Sequence, residues 1–226
     1  MNTFRRQLIA VVLSSSVFFS APALASVTVG TASIGGNCFP FGCGYTGTYQ
    51  QVYGASAFSA PTTINNVEFF ASPSFPLGSN GSTYTLNFYL TSKSVDGLST
   101  NPADNRTTLL SSFGTFVPGA SYSFTGNSFS YNPLLGNLLL DISTSGSPGD
   151  TNALSFSSLS GDAMSNLYRS GGTGALTTGT NGLVTRFAQV SVVPEPGTWA
   201  MMLLGFAGVG MSTRRRRGAL GLPQIA

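Results

Sequence analysis

The chain has 226 residues, no histidine, two cysteines and a formal net charge of +3. The positive charge lies at the ends, because residues 26–193 contain four basic and six acidic side chains. This segment has no basic patch to neutralise phosphates, so the sequence predicts that it does not bind nucleic acid. Without histidine, Ser-His-Asp and Cys-His catalysis in their ordinary form are excluded, as are His-based zinc or copper sites.

The first 25 residues have the three parts of a secretory signal peptide. A pair of arginines forms the positive n-region, an apolar h-region follows at residues 8–19, and Ala23 and Ala25 form an A-x-A cleavage site. The sequence therefore predicts export through the Sec translocon and cleavage by signal peptidase, so that the mature chain begins at Ser26. A permanent N-terminal helix is the alternative, but it explains the A-x-A pattern less well.

The two cysteines, Cys38 and Cys43, are separated by four residues near the predicted mature N-terminus. In an exported chain such a pair is expected to form a disulfide that staples a local turn. A pair at this spacing without further ligands is a poor zinc site, and a redox motif would typically have two intervening residues. The sequence predicts a structural disulfide, no metal site and no cofactor.

Nine segments between the two ends have the β-branched and aromatic composition of strands, with turn-forming residues between them. They are residues 26–34, 45–53, 62–70, 83–91, 109–117, 121–131, 137–143, 153–159 and 183–192. The fourth alternates most clearly, with Tyr84, Leu86, Phe88 and Leu90 on one face. About eight or nine short strands predict one all-β domain over residues 26–192, an antiparallel two-sheet β-sandwich with jelly-roll-like topology.

The acidic residues of this body do not form a catalytic motif. Glycoside hydrolysis needs two carboxylates, and Glu68 is the only glutamate in the body. Glu68 alternates with Val67 and Phe69, which predicts that it faces solvent, while most aspartates stand in turn sequences. Asp96 and Asp104 bracket a long loop that could bind calcium, but their spacing does not match an EF-hand, so a plain loop is favoured.

Aromatic side chains bear on carbohydrate binding, because sugars stack on exposed rings. The body has no tryptophan, and its eight tyrosines are Tyr45, Tyr49, Tyr53, Tyr84, Tyr89, Tyr122, Tyr131 and Tyr168. Tyrosines on strands more often pack in the core or in cross-strand pairs. Tyr89 is the most suggestive candidate, because it lies opposite the apolar face of its strand.

The carboxyl-terminal stretch has three parts in a fixed order. Two prolines around Glu195 exclude a helix there, an uncharged apolar run follows at 199–211, and four arginines end it. A helix over 197–213 would be about 25 Å long, short of a hydrocarbon core of about 30 Å. The predicted single transmembrane helix would have its arginine end in the cytoplasm.

This stretch, residues 193–217, resembles the PEP-CTERM sorting signal of Gram-negative bacteria in its PEP-x-x-W-A form. The matching residues are Pro194, Glu195, Pro196, Trp199 and Ala200, followed by the cytoplasmic stop of Arg214, Arg215, Arg216 and Arg217. The resemblance implies recognition by an exosortase, a membrane-embedded cysteine peptidase that removes the helix. The alternative is a plain tail anchor. A short tail at 218–226 follows the arginines, where the family usually stops.

Residues 49–58, 91–100 and 131–142 look like a recurrent type of PEP-CTERM ectodomain. The resemblance implies an exported surface or extracellular-matrix protein that is held transiently in the inner membrane and then reaches the cell surface or medium. In this interpretation the body is not an enzyme and is associated with exopolysaccharide or biofilm. The alternative is a secreted carbohydrate-binding or carbohydrate-active module that uses the same signal.

Overall fold

The computed structural model of the protein describes seven stretches of the chain. They are residues 26–31, 36–70, 82–116, 122–146, 154–157, 162–189 and 202–206. The predicted signal peptide at 1–25 and tail at 218–226 lie outside them, as does the predicted sorting segment apart from residues 202–206.

Thirteen strands form within these described ranges. Their bounds are β1 Ser26–Val29, β2 Gly36–Asn37, β3 Gly47–Tyr53, β4 Thr62–Phe69, β5 Thr83–Thr91, β6 Thr108–Phe116, β7 Tyr122–Tyr131, β8 Asn137–Ser145, β9 Leu154–Ser157, β10 Met164–Arg169, β11 Leu176–Gly179, β12 Gly182–Leu183 and β13 Thr185–Gln189. Single 3-10 turns lie at Ala55–Ala57, Pro102–Asn105, Pro133–Leu135 and Ser170–Gly172. Residues 202–206 are helical.

The strands form two antiparallel sheets and a small third one. The four-stranded sheet has the order β1-β13-β4-β7, and the six-stranded sheet has the order β11-β10-β3-β8-β5-β6. Strands β12, β9 and β2 make the small sheet. The all-β, antiparallel, two-sheet prediction is therefore confirmed, while the jelly-roll topology stays a prediction.

The hydrophobic core lies between the two large sheets, as period-two alternation requires. On β5, Tyr84, Leu86 and Phe88 are fully buried and the partly buried Leu90 packs against the same core, which confirms the predicted face of that strand. Rings from the two sheets meet directly: Phe88 lies 4.9 Å from Phe129 of β7, centroid to centroid. The core is therefore rich in aromatic side chains that interdigitate across the sandwich.

The structure differs from the prediction in the number of strands. The two strands β10 and β11 and the two-residue strand β2 were not predicted, and the predicted strand at 183–192 is divided at Val184. Strand β10 is buried at four consecutive residues, Met164 to Leu167. A strand covered on both faces has no polar-apolar alternation, so the periodicity criterion fails there.

The loop between β5 and β6 covers part of the outer face of the six-stranded sheet. Its Leu98 packs against Val52, Leu139 and Leu167, which form a second, smaller apolar cluster. This loop explains why β3, β8 and β10 are buried on both faces. It also places several polar side chains of the sheet beneath a cover.

The strand ends define two poles. We call the end where β3, β5, β7 and β13 finish the exit pole, and the opposite end, where β4 and β6 finish, the disulfide pole. The register supports this division, because Thr62 pairs with Tyr131 at one end of the four-stranded sheet and Phe69 with Tyr122 at the other.

Candidate functional site

Strand β13 carries the chain from the body toward the predicted sorting segment. It ends at Gln189, five residues before Pro194. It is not an edge strand, because it pairs with β1 on one side and with β4 on the other. Its Phe187 is fully buried, with ring centroids 4.9 Å from Tyr53 and 5.5 Å from Phe58. The last strand is therefore part of the structural core.

Polar contacts also hold β13 in place on both of its faces. On the inner face, the hydroxyl groups of Thr185 and Tyr53 are hydrogen-bonded at 2.8 Å. On the outer face, Arg186 forms an ion pair with Glu68, and its guanidinium lies 5.5 Å from the ring centroid of Phe70. Glu68 therefore faces outward as predicted. A partly exposed pair of this kind contributes about 0–1 kcal/mol.

The exit of the chain and the predicted mature N-terminus lie on neighbouring strands. Ser26 pairs with Ala188, one residue before the end of β13. Paired strands are about 5 Å apart, so the two segments that the sequence assigns to targeting leave the body side by side. Both leave at the exit pole.

The family model for the PEP-CTERM protein-sorting motif matches residues 192–217. The chain carries a PEP-CTERM sorting motif. No curated protein sequence matches the chain. The motif starts three residues after the last residue of β13.

The PEP-CTERM motif is an exosortase-targeted sorting signal on an exported protein, which reaches the cell surface through a membrane-anchored precursor. The predicted recognition residues Pro194 to Pro196, Trp199 and Ala200, and the arginines at 214–217, lie inside the matched range but outside the described residues. Within the motif, residues 202–206 are helical and exposed. No helix in the described part of the chain is long and apolar enough to cross a membrane. The predicted cleavage residues Ala23 and Ala25 also lie outside that part.

The predicted disulfide between Cys38 and Cys43 is confirmed. Its loop places Phe41 in the core at the disulfide pole, where the ring centroid lies 4.6 Å from Tyr122, 4.9 Å from Tyr84 and 5.1 Å from Phe69. The hydroxyl groups of Tyr84 and Tyr122 donate hydrogen bonds to the Phe41 carbonyl at 3.2 and 3.5 Å. The disulfide loop therefore closes this pole with an aromatic plug.

A buried carboxylate on β8, Asp141, was missed by the sequence analysis. Its Oδ2 accepts hydrogen bonds from Gln50 Nε2 and Arg106 Nε, both at 2.6 Å. Gln50 Oε1 in turn accepts one from Asn105 Nδ2 at 2.8 Å. Asp141 is 1% exposed. Since Arg106 and Asn105 belong to the loop between β5 and β6, the cluster fastens that loop onto the sheet.

Glu68 and Asp141, the two carboxylates that form ion pairs in the described part of the chain, lie on opposite sides of the sandwich. Asp141 alternates with the core residues Leu140 and Ile142, so it lies on the outer face of the six-stranded sheet. Glu68 lies on the outer face of the other sheet, with the core between them. The described residues contain no group of three or more His, Cys, Asp or Glu side chains that could hold a metal ion.

Asp104, one of the two loop aspartates that were considered for calcium, is bonded within its own turn. The Asp104 carboxylate accepts hydrogen bonds from Ser99 Oγ and Asn101 Nδ2, both at 3.0 Å. These are the contacts of a local polar turn. They support the plain-loop interpretation.

Most of the tyrosines considered for sugar stacking are core residues. Six are fully buried: Tyr45, Tyr49, Tyr53, Tyr84, Tyr122 and Tyr131. Burial raises the pKa of Tyr45 and of Tyr131 to about 12, and it also raises the pKa of Tyr49 and of Tyr53 well above the ordinary value of 10.0. Tyr89 is half-buried, with the Arg106 guanidinium 5.7 Å from its ring centroid. The strongest tyrosine candidate for stacking on a sugar therefore already has Arg106 against its ring.

Proposed function

We propose that the protein is a non-enzymatic surface or extracellular-matrix component, whose β body is delivered by its PEP-CTERM motif and associates with exopolysaccharide. The observation that carries the proposal is the position of the motif directly after β13. Exosortase cleavage at the motif would leave the strand and the closed core intact, because β13 ends at Gln189 and the PEP triplet begins at Pro194. Processing would therefore release a complete body rather than a damaged one.

The positions of the two ion-paired carboxylates, Glu68 and Asp141, support a non-enzymatic role. The Glu68 carboxylate is paired with Arg186, and Asp141 is paired with Arg106 under the loop between β5 and β6. Glycosidases need two carboxyl groups facing each other across one scissile bond, at most about 10 Å apart. Glu68 and Asp141 lie on opposite outer surfaces of the sandwich and cannot act together on one bond.

The outer strand faces support association with a polymer that is rich in hydroxyl groups. On the four-stranded sheet, Asn66 Nδ2 donates to Ser123 Oγ at 2.9 Å and to Thr125 Oγ1 at 2.8 Å. On the six-stranded sheet, the hydroxyl groups of Thr85 and Thr115 are bonded at 3.0 Å. These uncharged hydroxyl and amide groups can both donate and accept hydrogen bonds. They can form hydrogen bonds with sugar hydroxyl groups without a charged partner.

The sorting step is tested by changing Pro194, Glu195 and Pro196 together to alanine in the native host, with an epitope placed after Ala226. We expect an uncleaved precursor that stays in the inner membrane and keeps the epitope. Pro223→Ala, a proline change beyond the motif, is the matched control and should be processed normally. Normal processing and localisation of the triple variant would support the plain tail anchor instead.

The arginine block provides a second test of the same step. Each arginine costs about 2.5–3.5 kcal/mol at the membrane centre, so the block should hold the signal at its depth. Changing all four arginines, residues 214–217, to serine should let the tail slip outward. The expected result is poor processing and partial release of full-length protein, measured in the medium with the same epitope.

The role of the body is tested with the processed protein from the cell surface or the medium. Binding to a panel of polysaccharides, including polymer from the native host, should be detectable in the absence of any bond cleavage. Turnover of a glycan that is lost in Glu68→Gln would instead support the carbohydrate-active alternative. The mass of the processed protein reports both cleavage sites and any attached group.

A further inference from the structure

We propose that the turn between β7 and β8 is a lipid-contacting element, in which Leu134 and Leu135 enter the headgroup region of the bilayer that holds the sorting segment. This inference rests on the membrane-anchored precursor of the proposed function. The two leucines are 88% and 67% exposed. Among the described residues of the β body, one other large apolar side chain is exposed, Leu109, at 57%. The two leucines form a contiguous apolar projection, unlike exposed leucines scattered singly over a surface.

The turn is built so that the leucines point away from the core. Asn132 Oδ1 accepts the backbone N–H of Leu134 at 3.0 Å, and the Asn132 carbonyl accepts that of Leu135 at 3.1 Å. Pro133 occupies the first position of the 3-10 turn, where its missing N–H has no cost. Tyr131 donates its hydroxyl hydrogen to the Gly136 carbonyl at 2.9 Å. The turn is therefore fixed at both ends.

The base of the turn is held to neighbouring segments of the exit pole. Asn137 Oδ1 accepts the backbone N–H of Ala55 at 2.8 Å, and its Nδ2 donates to the Lys93 carbonyl at 2.9 Å. Gly136 has φ of 138°, and a Cβ there would lie 2.9 Å from the Thr91 carbonyl oxygen. A side chain at this position would collide with β5, so the close approach requires glycine. Local relaxation cannot bury the two leucines without breaking these contacts.

The position of the turn identifies the membrane as its partner. Tyr131, the last residue of β7, lies two strands away from β13, which corresponds to about 10 Å across the sheet. From Gln189 to Pro194 the chain can span at most about 18 Å. The body must therefore lie close to the bilayer that holds the motif, with its exit pole and the leucine turn facing the membrane.

A lipid surface fits this element better than a shaped protein partner. Two leucines on a narrow turn offer little area for a specific protein interface, whereas a bilayer adapts to any apolar projection. Lys93 and the exposed Asp96 follow β5 at the same pole and carry opposite charges. The contact should therefore depend on apolar burial and be insensitive to salt.

The full chain with its sorting motif, reconstituted in vesicles of phosphatidylethanolamine and phosphatidylglycerol, provides the test. A nitrobenzoxadiazole label is attached at Leu134→Cys or, as the matched control at the disulfide pole, at Ser145→Cys, without reduction of the native disulfide. We expect a blue shift and quenching by nitroxide-labelled lipid at position 134 only, unchanged at high salt. Equal quenching at both positions would overturn the proposal.

A second variant tests the energetic role. In Leu134→Ser with Leu135→Ser, the processed protein should partition onto the same vesicles about tenfold less than wild type. Unchanged partitioning would overturn the proposal. A label signal at position 134 that appears only after exosortase is added to the vesicles would also overturn it, since that result would identify the peptidase as the partner. The vesicles contain no exosortase, so failure here leaves the sorting test with alanine at residues 194–196 unaffected.

Discussion

The two poles of the sandwich are finished in different ways. At the disulfide pole, a covalent loop inserts Phe41 between the sheets, and two tyrosine hydroxyl groups bind its carbonyl. At the exit pole, both chain ends leave on adjacent strands and two leucines project into solvent. The disulfide pole is closed by buried side chains, whereas the exit pole leaves the apolar side chains of Leu134 and Leu135 exposed to solvent.

This difference teaches that apolar residues at the ends of one sandwich can have unrelated purposes. Phe41 is fully buried, so its contribution is to the stability of the body. Leu134 is almost fully exposed and contributes little to stability in water. A stability measurement and a membrane-binding measurement should therefore separate the poles cleanly.

The largest effect is expected from removal of β13. A chain that ends at residue 184 lacks the strand between β1 and β4, together with the buried Phe187. Because a domain is stable by only about 5–15 kcal/mol, the loss should prevent folding. We expect no cooperative melt by circular dichroism for residues 26–184. Residues 26–192 should give a β-type spectrum and a cooperative melt, and a random-coil spectrum for them would contradict the division into body and signal.

The next effect is expected from Phe41→Ala at the disulfide pole. Loss of a buried phenylalanine should lower the free energy of unfolding by about 3–5 kcal/mol. Leu134→Ala at the exit pole is the matched control, and it should change stability by less than about 0.5 kcal/mol because nothing is unpacked. Both are measured by urea unfolding of residues 26–192. Similar losses in the two variants would remove the distinction between the poles.

A smaller effect is expected from loss of the disulfide. Changing Cys38 and Cys43 to serine opens a short loop, which should lower the free energy of unfolding by about 2 kcal/mol. The exit pole should be unaffected, so vesicle binding should stay at the wild-type level. Thiol labelling of the denatured, unreduced protein should find no reactive cysteine, and stoichiometric labelling of both would contradict the pairing.

The smallest effects concern alkaline pH. The pKa of Tyr45 and of Tyr131 is raised in the folded state to about 12 from an ordinary value of 10.0, because burial penalises the phenolate. Between these values the unfolded chain has released a proton that the folded chain retains, so stability is complete below about pH 10 and falls as the pH approaches 12. Single Tyr45→Phe and Tyr131→Phe variants should each flatten this decline.

The alkaline comparison probes one tyrosine at each pole. Tyr45 lies next to the disulfide loop, with its hydroxyl donating to the Thr48 carbonyl at 2.6 Å, whereas Tyr131 supports the leucine turn. Urea unfolding at pH 9 and at several pH values above 10 gives the slopes. An unchanged slope in both variants would show that other groups cause the alkaline loss.

The features predicted correctly from the sequence depend on local patterns. Strand β5 was predicted to the residue, because its apolar side chains recur at every second position from Tyr84 to Leu90; in the structure buried and half-buried positions alternate from Thr83 to Tyr89. The disulfide followed from two cysteines at short spacing in an exported chain. Asp141 shows where local patterns fail: it alternates with Leu140 and Ile142 like a solvent-facing residue, yet it is buried under a loop from 35 residues earlier in the chain.

The sequence by itself determined the sorting motif, the disulfide, the β class and the outward position of Glu68, since each depends on neighbouring residues or on a period of two. Only the tertiary structure decided which strand the chain leaves from and where Leu134 and Leu135 lie relative to that exit. Asn-Pro-Leu-Leu-Gly predicts a turn, but its position at the exit pole depends on pairings between residues far apart in the chain. Such pairings are selected by burial of the whole core, so they have no counterpart in local sequence.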